Sequence, residues 1–126
     1  MAKSTELVVT VDIEGIDRLV REMPGRVSDF MDAEAETTVN DIKLSFGTSP
    51  SAPGDPPGVD TGALRNSIMW EPVNRFTRDV MDGVEYGIYL EFGTDRGMAP
   101  RPFMGPALKR RERAFTRDAI EFGLVV

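Results

Sequence analysis

The stretch Leu7-Val-Val-Thr-Val-Asp-Ile13-Glu-Gly15-Ile16-Asp-Arg-Leu19-Val20-Arg-Glu-Met23-Pro24-Gly25 changes its hydrophobic period midway. Leu7, Val9, Val11 and Ile13 alternate with Val8, Thr10 and Asp12, the pattern of a strand with one buried face. Glu14-Gly15 breaks it. Ile16, Leu19, Val20 and Met23 then recur at helical spacing, and Pro24-Gly25 interrupts them. A strand that runs straight into a helix points to a mixed architecture.

Downstream, Val27, Phe30, Met31, Glu34/Ala35, Thr38, Ile42 and Phe46 keep the i, i+3, i+4, i+7 rhythm of an amphipathic helix about five turns long. Asp29, Asp32, Glu36 and Asn40 fall on its other side and predict a solvated acidic face. Gly47 to Gly58 holds four prolines and three glycines in twelve residues, which excludes a helix or a central strand. The region 47–60 is therefore expected to be an extended loop within one domain. Loops of this length inside compact domains are uncommon and often functional.

Asp60-Thr61-Gly62-Ala63-Leu64-Arg65 predicts a turn of helix with Asp60 as its cap. Ser67 to Phe76 alternates as a strand, with Ile68, Trp70 and Pro72 or Val73 on one side. Thr77 to Val84 follows as a second strand, with turns at 74–78 and at Asp82-Gly83. Tyr86, Tyr89 and Leu90 fit one short helical turn or an irregular strand, closed by Gly93. Ala99-Pro100-Arg101-Pro102 must be extended, because each proline pushes its predecessor out of the α region. A last helix starts near Pro102–Pro106, with a stripe of Met104, Leu108, Phe115, Ala119 and Phe122, and with Lys109, Arg110, Arg113 and Arg117 on the opposite arc. The expected fold is α+β. A small antiparallel sheet is flanked by a long helix from the N-terminal half and by a C-terminal helix, and residues 1–126 form a single domain with a long Pro/Gly-rich loop.

Composition narrows the chemistry. The 126 residues include no Cys and no His, which removes disulfides, thiol nucleophiles, Cys/His zinc sites and Ser-His-Asp triads. The N-terminus has no apolar h-region and no run approaches a membrane span, so neither secretion nor a membrane is expected. Net charge is −6, unevenly laid out. Residues 1–60 carry 5 cations and 12 anions, whereas 61–126 carry 10 and 9. Between Arg101 and Arg117 stand six cations and one anion, Glu112. That basic segment, above all 109–117, is the candidate for a nucleic-acid-binding module, although no surface aromatics interleave it. Asp29, Asp32 and Glu36 share a helix face but lack the His partners of a di-metal site. Glu85 and Glu91 flank the tyrosines without the room a sugar cleft needs. No phosphate-cradling glycine motif is present.

Three blocks occur in order. The first is Pro50-Ser-Ala-Pro53-Gly-Asp-Pro56-Pro57-Gly-Val-Asp60-Thr61-Gly62-Ala-Leu64-Arg65-Asn-Ser67-Ile68. The second is Tyr86-Gly-Ile-Tyr89-Leu-Glu91-Phe92-Gly93-Thr94. The third is Ala99-Pro-Arg101-Pro102-Phe103-Met-Gly-Pro-Ala-Leu108. Together with Glu14-Gly-Ile-Asp-Arg-Leu19 they resemble the head–tail joining, neck or tail completion proteins of lambdoid-type tailed phages, also called minor tail components. Gly87 stands where that family commonly has Ala. The resemblance covers nearly the whole chain. It implies a structural virion protein with no catalytic residue and no cofactor, made in the bacterial cytoplasm. It also implies a homo-oligomeric ring between the head connector or adaptor and the tail terminator, through which DNA passes without sequence recognition.

Three expectations follow. The Pro-rich arm orders against a neighbouring subunit or the connector. Glu91 pairs with Arg101 or Arg65, since a carboxylate inside an apolar motif needs a partner. The acidic front of one subunit meets the basic last helix of the next, Arg113 and Arg117 included, in a head-to-tail contact.

Overall fold

A computed structural model describes residues 8–12, 17–47, 53–54 and 62–124. Strand β1 (Val8–Asp12) leads to helix α1 (Asp17–Glu22) and the long helix α2 (Pro24–Ser45). Helix α3 (Ala63–Ser67) precedes strands β2 (Met69–Asn74) and β3 (Thr77–Met81), and helices α4 (Gly87–Phe92) and α5 (Met104–Glu121) close the order. The fold is α+β, as the two hydrophobic periods require.

Two helices follow one another as the interruption predicts, but Pro24-Gly25 belongs to the second rather than standing between them. Pro24 stands in the first turn of α2, where its missing N–H costs nothing and its φ is already helical. The helix thus begins a turn before Val27. Its inner face is Val27, Phe30, Met31, Glu34, Ala35, Thr38, Val39 and Ile42, all buried, so the stripe includes a carboxyl group. At α3 the residue before the first turn is Gly62, at φ 75° and without a side-chain cap bond. Asp60, the expected cap, and Thr61 lie outside the described residues. Of the two forms open to Tyr86–Leu90, the helix is the one adopted, ended by Gly93 at φ 77°.

The sheet is antiparallel in the order β1-β3-β2. Central β3 is buried at four of its five positions. Edge strand β2 carries Pro72, which an edge tolerates because no ladder donor is demanded there. The register slips between Pro72 and Asn74. Asn74 Oδ1 then accepts from the Phe76 N–H at 3.0 Å and folds the hairpin turn over Arg75 and Phe76.

Arg78 on β3 is a buried cation facing α2. Its Nε donates to Asp32 Oδ1 at 2.7 Å, and Nη2 donates to the Ser28 carbonyl and hydroxyl, both at 3.1 Å. Nη1 reaches the carbonyls of Asn74, Arg75 and Thr77. One guanidinium fork therefore ties the hairpin turn to the first turns of α2, a geometry lysine cannot reproduce. Trp70 Nε1 donates to Glu36 Oε2 at 2.8 Å. Asp32 and Glu36 thus tie α2 to the sheet from the predicted solvated face, on which Asp29, Glu36 and Asn40 are exposed and Asp32 is half-buried.

Two apolar clusters form the core. One joins Val39, Ile42, Leu64, Ile68, Val80, Phe103, Met104 and Ala107. The other joins Leu19, Val27, Phe30, Met31 and Leu124, with Phe115, Ala119 and Phe122 against it. The C-terminal half of α2 meets the start of α5 in the first cluster and the N-terminal half meets its end in the second, so the two helices run antiparallel. The predicted α5 stripe is corrected at one position. Leu108 is 38% exposed, while Ala107 and half-buried Arg111 turn inward.

Candidate functional site: the junction of α3, α4 and α5

The first N–H groups of a helix have no acceptor within it. At α5 a side chain from another helix supplies one. Glu91 Oε1 accepts from the N–H of Phe103 at 2.9 Å and of Met104 at 2.8 Å, and Oε2 accepts from Gly105 at 3.0 Å. The next residue is Pro106, which has no N–H to satisfy. All four opening positions of α5 are thereby accounted for, and the positive end of the helix dipole faces a carboxylate. Glu91 is buried, and the expected guanidinium partner is replaced by this backbone trio. Three convergent donors held by the helix itself need no side chain ordered to meet them. Arg65 stays exposed, and Arg101 directs Nη1 to the Ala99 carbonyl at 3.5 Å.

The segment between the two helices is fixed by its own backbone. The Arg101 N–H donates to the Leu90 carbonyl at 2.6 Å and the Thr94 N–H to the Met98 carbonyl at 3.0 Å. Thr94 Oγ1 accepts from the Met98 N–H at 3.2 Å. Gly93 is required twice over, since its φ is positive and a Cβ there would lie 2.6 Å from the Met98 carbonyl oxygen. Phe103 is fully buried, its ring edge-on to Phe46 with centroids 5.7 Å apart. Pro102 is half-buried. From α3, Leu64 enters the same cluster and Ser67 Oγ donates to the Leu64 carbonyl at 2.7 Å.

The Pro-rich segment touches this junction. The Gly54 N–H donates to the Pro100 carbonyl at 2.8 Å, and Pro53 beside it is exposed. Pro56 and Pro57 lie outside the described residues, as does most of the arm on which the ordering expectation rests.

The sequence blocks thus divide by direction. Leu64, Ser67, Glu91, Gly93, Thr94 and Phe103 build the junction, whereas Tyr86, Tyr89 and Phe92 turn outward from α4, with Phe92 66% exposed. The basic segment divides as well. Arg110 clasps Asp41 through Nε and Nη2, at 2.9 and 2.7 Å, and Arg111 reaches Glu34 and Asp118. Lys109 and Arg113 are exposed, and Arg117 lies 3.3 Å from Asp118 at the surface. Arg110 was expected on the outer arc with Arg113 and Arg117, but Asp41 draws it onto α2.

Sequence reasoning missed Arg78 and the Glu34–Arg111–Asp118 cluster. Arg78 sits in a predicted strand and gives no local signal. Arg111 does, because the α5 stripe skips a turn between Leu108 and Phe115. Among the described residues no group of three or more acidic side chains is disposed to hold a metal ion, and no helix is long and apolar enough to cross a membrane. Comparison with protein-family models, curated proteins and solved structures gives no match to this chain.

Proposed function

We propose that the chain is a structural subunit of a tailed-phage neck, which assembles with copies of itself into a ring joining the head connector to the tail terminator. The observation that supports this reading is the convergence of the described parts of the three sequence blocks on one junction. Their polar residues serve backbone geometry there: Glu91 holds a helix start, Thr94 a turn and Ser67 a helix end. Their aromatic residues Tyr86, Tyr89 and Phe92 are presented outward. A rigid platform displaying a mixed aromatic and charged surface suits an assembly protein, where complementarity between copies matters more than reactivity. On this reading the ring has no enzymatic activity, needs no cofactor, resides in the virion and lets DNA through without reading its sequence.

A nucleic-acid-binding module on 109–117 is the rival reading. The commitment of Arg110 and Arg111 to carboxylates of the same chain counts against it, since each internal pair removes a cation from phosphate contact. The deciding experiment disrupts the gene in its phage or prophage and examines the particles by electron microscopy. Full heads and separate tails should accumulate, and added protein should join them. Normal yields of joined particles without the protein would refute the proposal.

A further inference from the structure

Between the two apolar clusters, the α2–α5 interface contains a buried polar layer. Glu34 enters from α2, and Arg111 and Asp118 from α5. Arg111 Nη2 lies 3.3 Å from Glu34 Oε1 and also contacts Asp118 Oδ2. The side chains of Glu34, Arg111 and Asp118 are only 5%, 16% and 15% exposed. Arg111 Nε is buried with no acceptor, so the fork is not fully used. The layer therefore has two carboxyl groups on one nitrogen of a largely buried guanidinium, while the exposed Arg117 reaches Asp118 from the surface at 3.3 Å. Both cannot carry full charge cheaply in a site this dry, whereas one proton between them leaves the trio neutral.

We propose that Glu34 and Asp118 hold a single proton between them, and that α5 packs less firmly on α2 once that proton leaves. Release to solvent leaves two negative charges on the one guanidinium inside the layer, with Arg117 offsetting Asp118 only from the screened surface. The strain falls where Phe30 meets Phe115 edge-on, with centroids 5.3 Å apart, one turn from the cluster on each helix. The proposal is independent of the neck reading.

Other charges near this layer lie in separate pairs or at the surface, where Arg117 touches Asp118 at 3.3 Å. Arg78 on β3 holds Asp32, Arg110 on α5 holds Asp41, and Arg18 and Glu22 on α1 hold each other at the surface. Arg111 and Asp118 are the charged groups that act on Glu34. Burial and the Asp118 carboxylate push the Glu34 carboxyl up to about 7, against the opposing pull of Arg111. An unfolded Glu titrates near 4.3. Between those values the folded chain binds the extra proton, so stability falls as pH rises and levels off above the folded value. The chain has no His and no Cys, so no imidazole or thiol titrates in that window.

The test follows the Glu side-chain carboxyl carbons by NMR across the pH range in the wild-type protein. It adds thermal melts of wild type, Glu34→Gln and Asp118→Asn from mildly acidic to mildly alkaline pH. The expected result is one Glu carboxyl with a midpoint near 7, assigned to Glu34. The wild-type melting temperature should fall by several degrees over the range, and both variants should flatten that fall. Amide protection across Phe115–Asp118, corrected for intrinsic exchange, should drop with pH in the wild type alone. A Glu34 midpoint below pH 5 overturns the proposal without recourse to any variant. So do parallel melting profiles for wild type and Glu34→Gln.

Discussion

Glu91 on α4 holds the backbone N–H of Met104 at 2.8 Å, thirteen residues further along the chain, and so caps a helix it does not belong to. An N-cap is usually local, a Ser, Thr, Asp or Asn just before the first turn. Here Phe103 occupies that place and offers no oxygen, which lets the aromatic ring fill the core while α4 supplies the acceptor. One carboxylate thus couples the position of α4 to that of α5.

Replacing Glu91 separates its charge from its shape. Glu91→Ala leaves three N–H groups without an acceptor at a buried site, and the expected loss is about 2–4 kcal/mol. Glu91→Gln keeps one carbonyl oxygen but turns an NH2 group toward like donors, and the expected loss is about 1–2 kcal/mol. Urea unfolding of the three proteins measures both differences. Equal stability of Glu91→Ala and wild type would mean that water satisfies the start of α5 as well as Glu91 does.

Helix α2 was legible from its stripe through 27–42 and α4 from the glycine at its end, whereas β2 shows no alternation of burial and exposes the Pro72 and Val73 expected on its inner side. Junction residues were legible as a set but not in their roles. Glu91 was expected to need a partner, yet sequence patterns rank side-chain partners and cannot see three backbone groups converging from a helix start. Arg78 was illegible for a related reason. Carbonyls of its own hairpin satisfy Nη1, but Asp32 and Ser28 meet Nε and Nη2 only when the hairpin packs on α2. Breaking one side of such a buried charge network costs about 3–5 kcal/mol. Burial of this cation is thus decided by tertiary structure, against every local preference for exposure.

Gly87 has its own reason to be glycine. A Cβ at that position would lie 1.7 Å from Asp82 Oδ2 and 2.7 Å from Asp82 Cγ, and Asp82 is fully buried. Glycine at 87 therefore matches the acid five residues earlier. Gly87→Ala should destabilise by about 1–3 kcal/mol through overpacking. Gly25→Ala is the control, because nothing lies within 4 Å of a Cβ there and helix propensity favours Ala. That substitution should be neutral or stabilising by up to ~1 kcal/mol. Melting temperatures of the two variants check both signs, and a harmless Gly87→Ala would show that Asp82 moves aside freely.

The charged surface of α5 tests the assembly reading, provided the substitutions spare the polar layer beneath it. Arg117 touches Asp118, so reversing its charge would place a third carboxylate beside Glu34 and Asp118 and confuse folding with association. Arg113→Glu combined with Arg117→Gln avoids this. Arg113 is exposed, and losing the exposed Arg117 end of its pair with Asp118 costs about 0.2–1 kcal/mol, so the variant monomer should melt within a few degrees of wild type. Each exposed charge pair across an interface contributes roughly 0.2–1 kcal/mol, and salt screens it. In a closed ring the same loss recurs at every contact, so a small deficit per interface becomes a large deficit in assembly. Sedimentation at low and high salt should show wild-type association that weakens with salt, and weaker association of the variant even at low salt. Joining of heads to tails should fall in step. Undiminished joining by Arg113→Glu/Arg117→Gln would mean that this helix faces solvent in the ring, and it would leave the outward aromatic residues of α4 as the surface that meets the next copy.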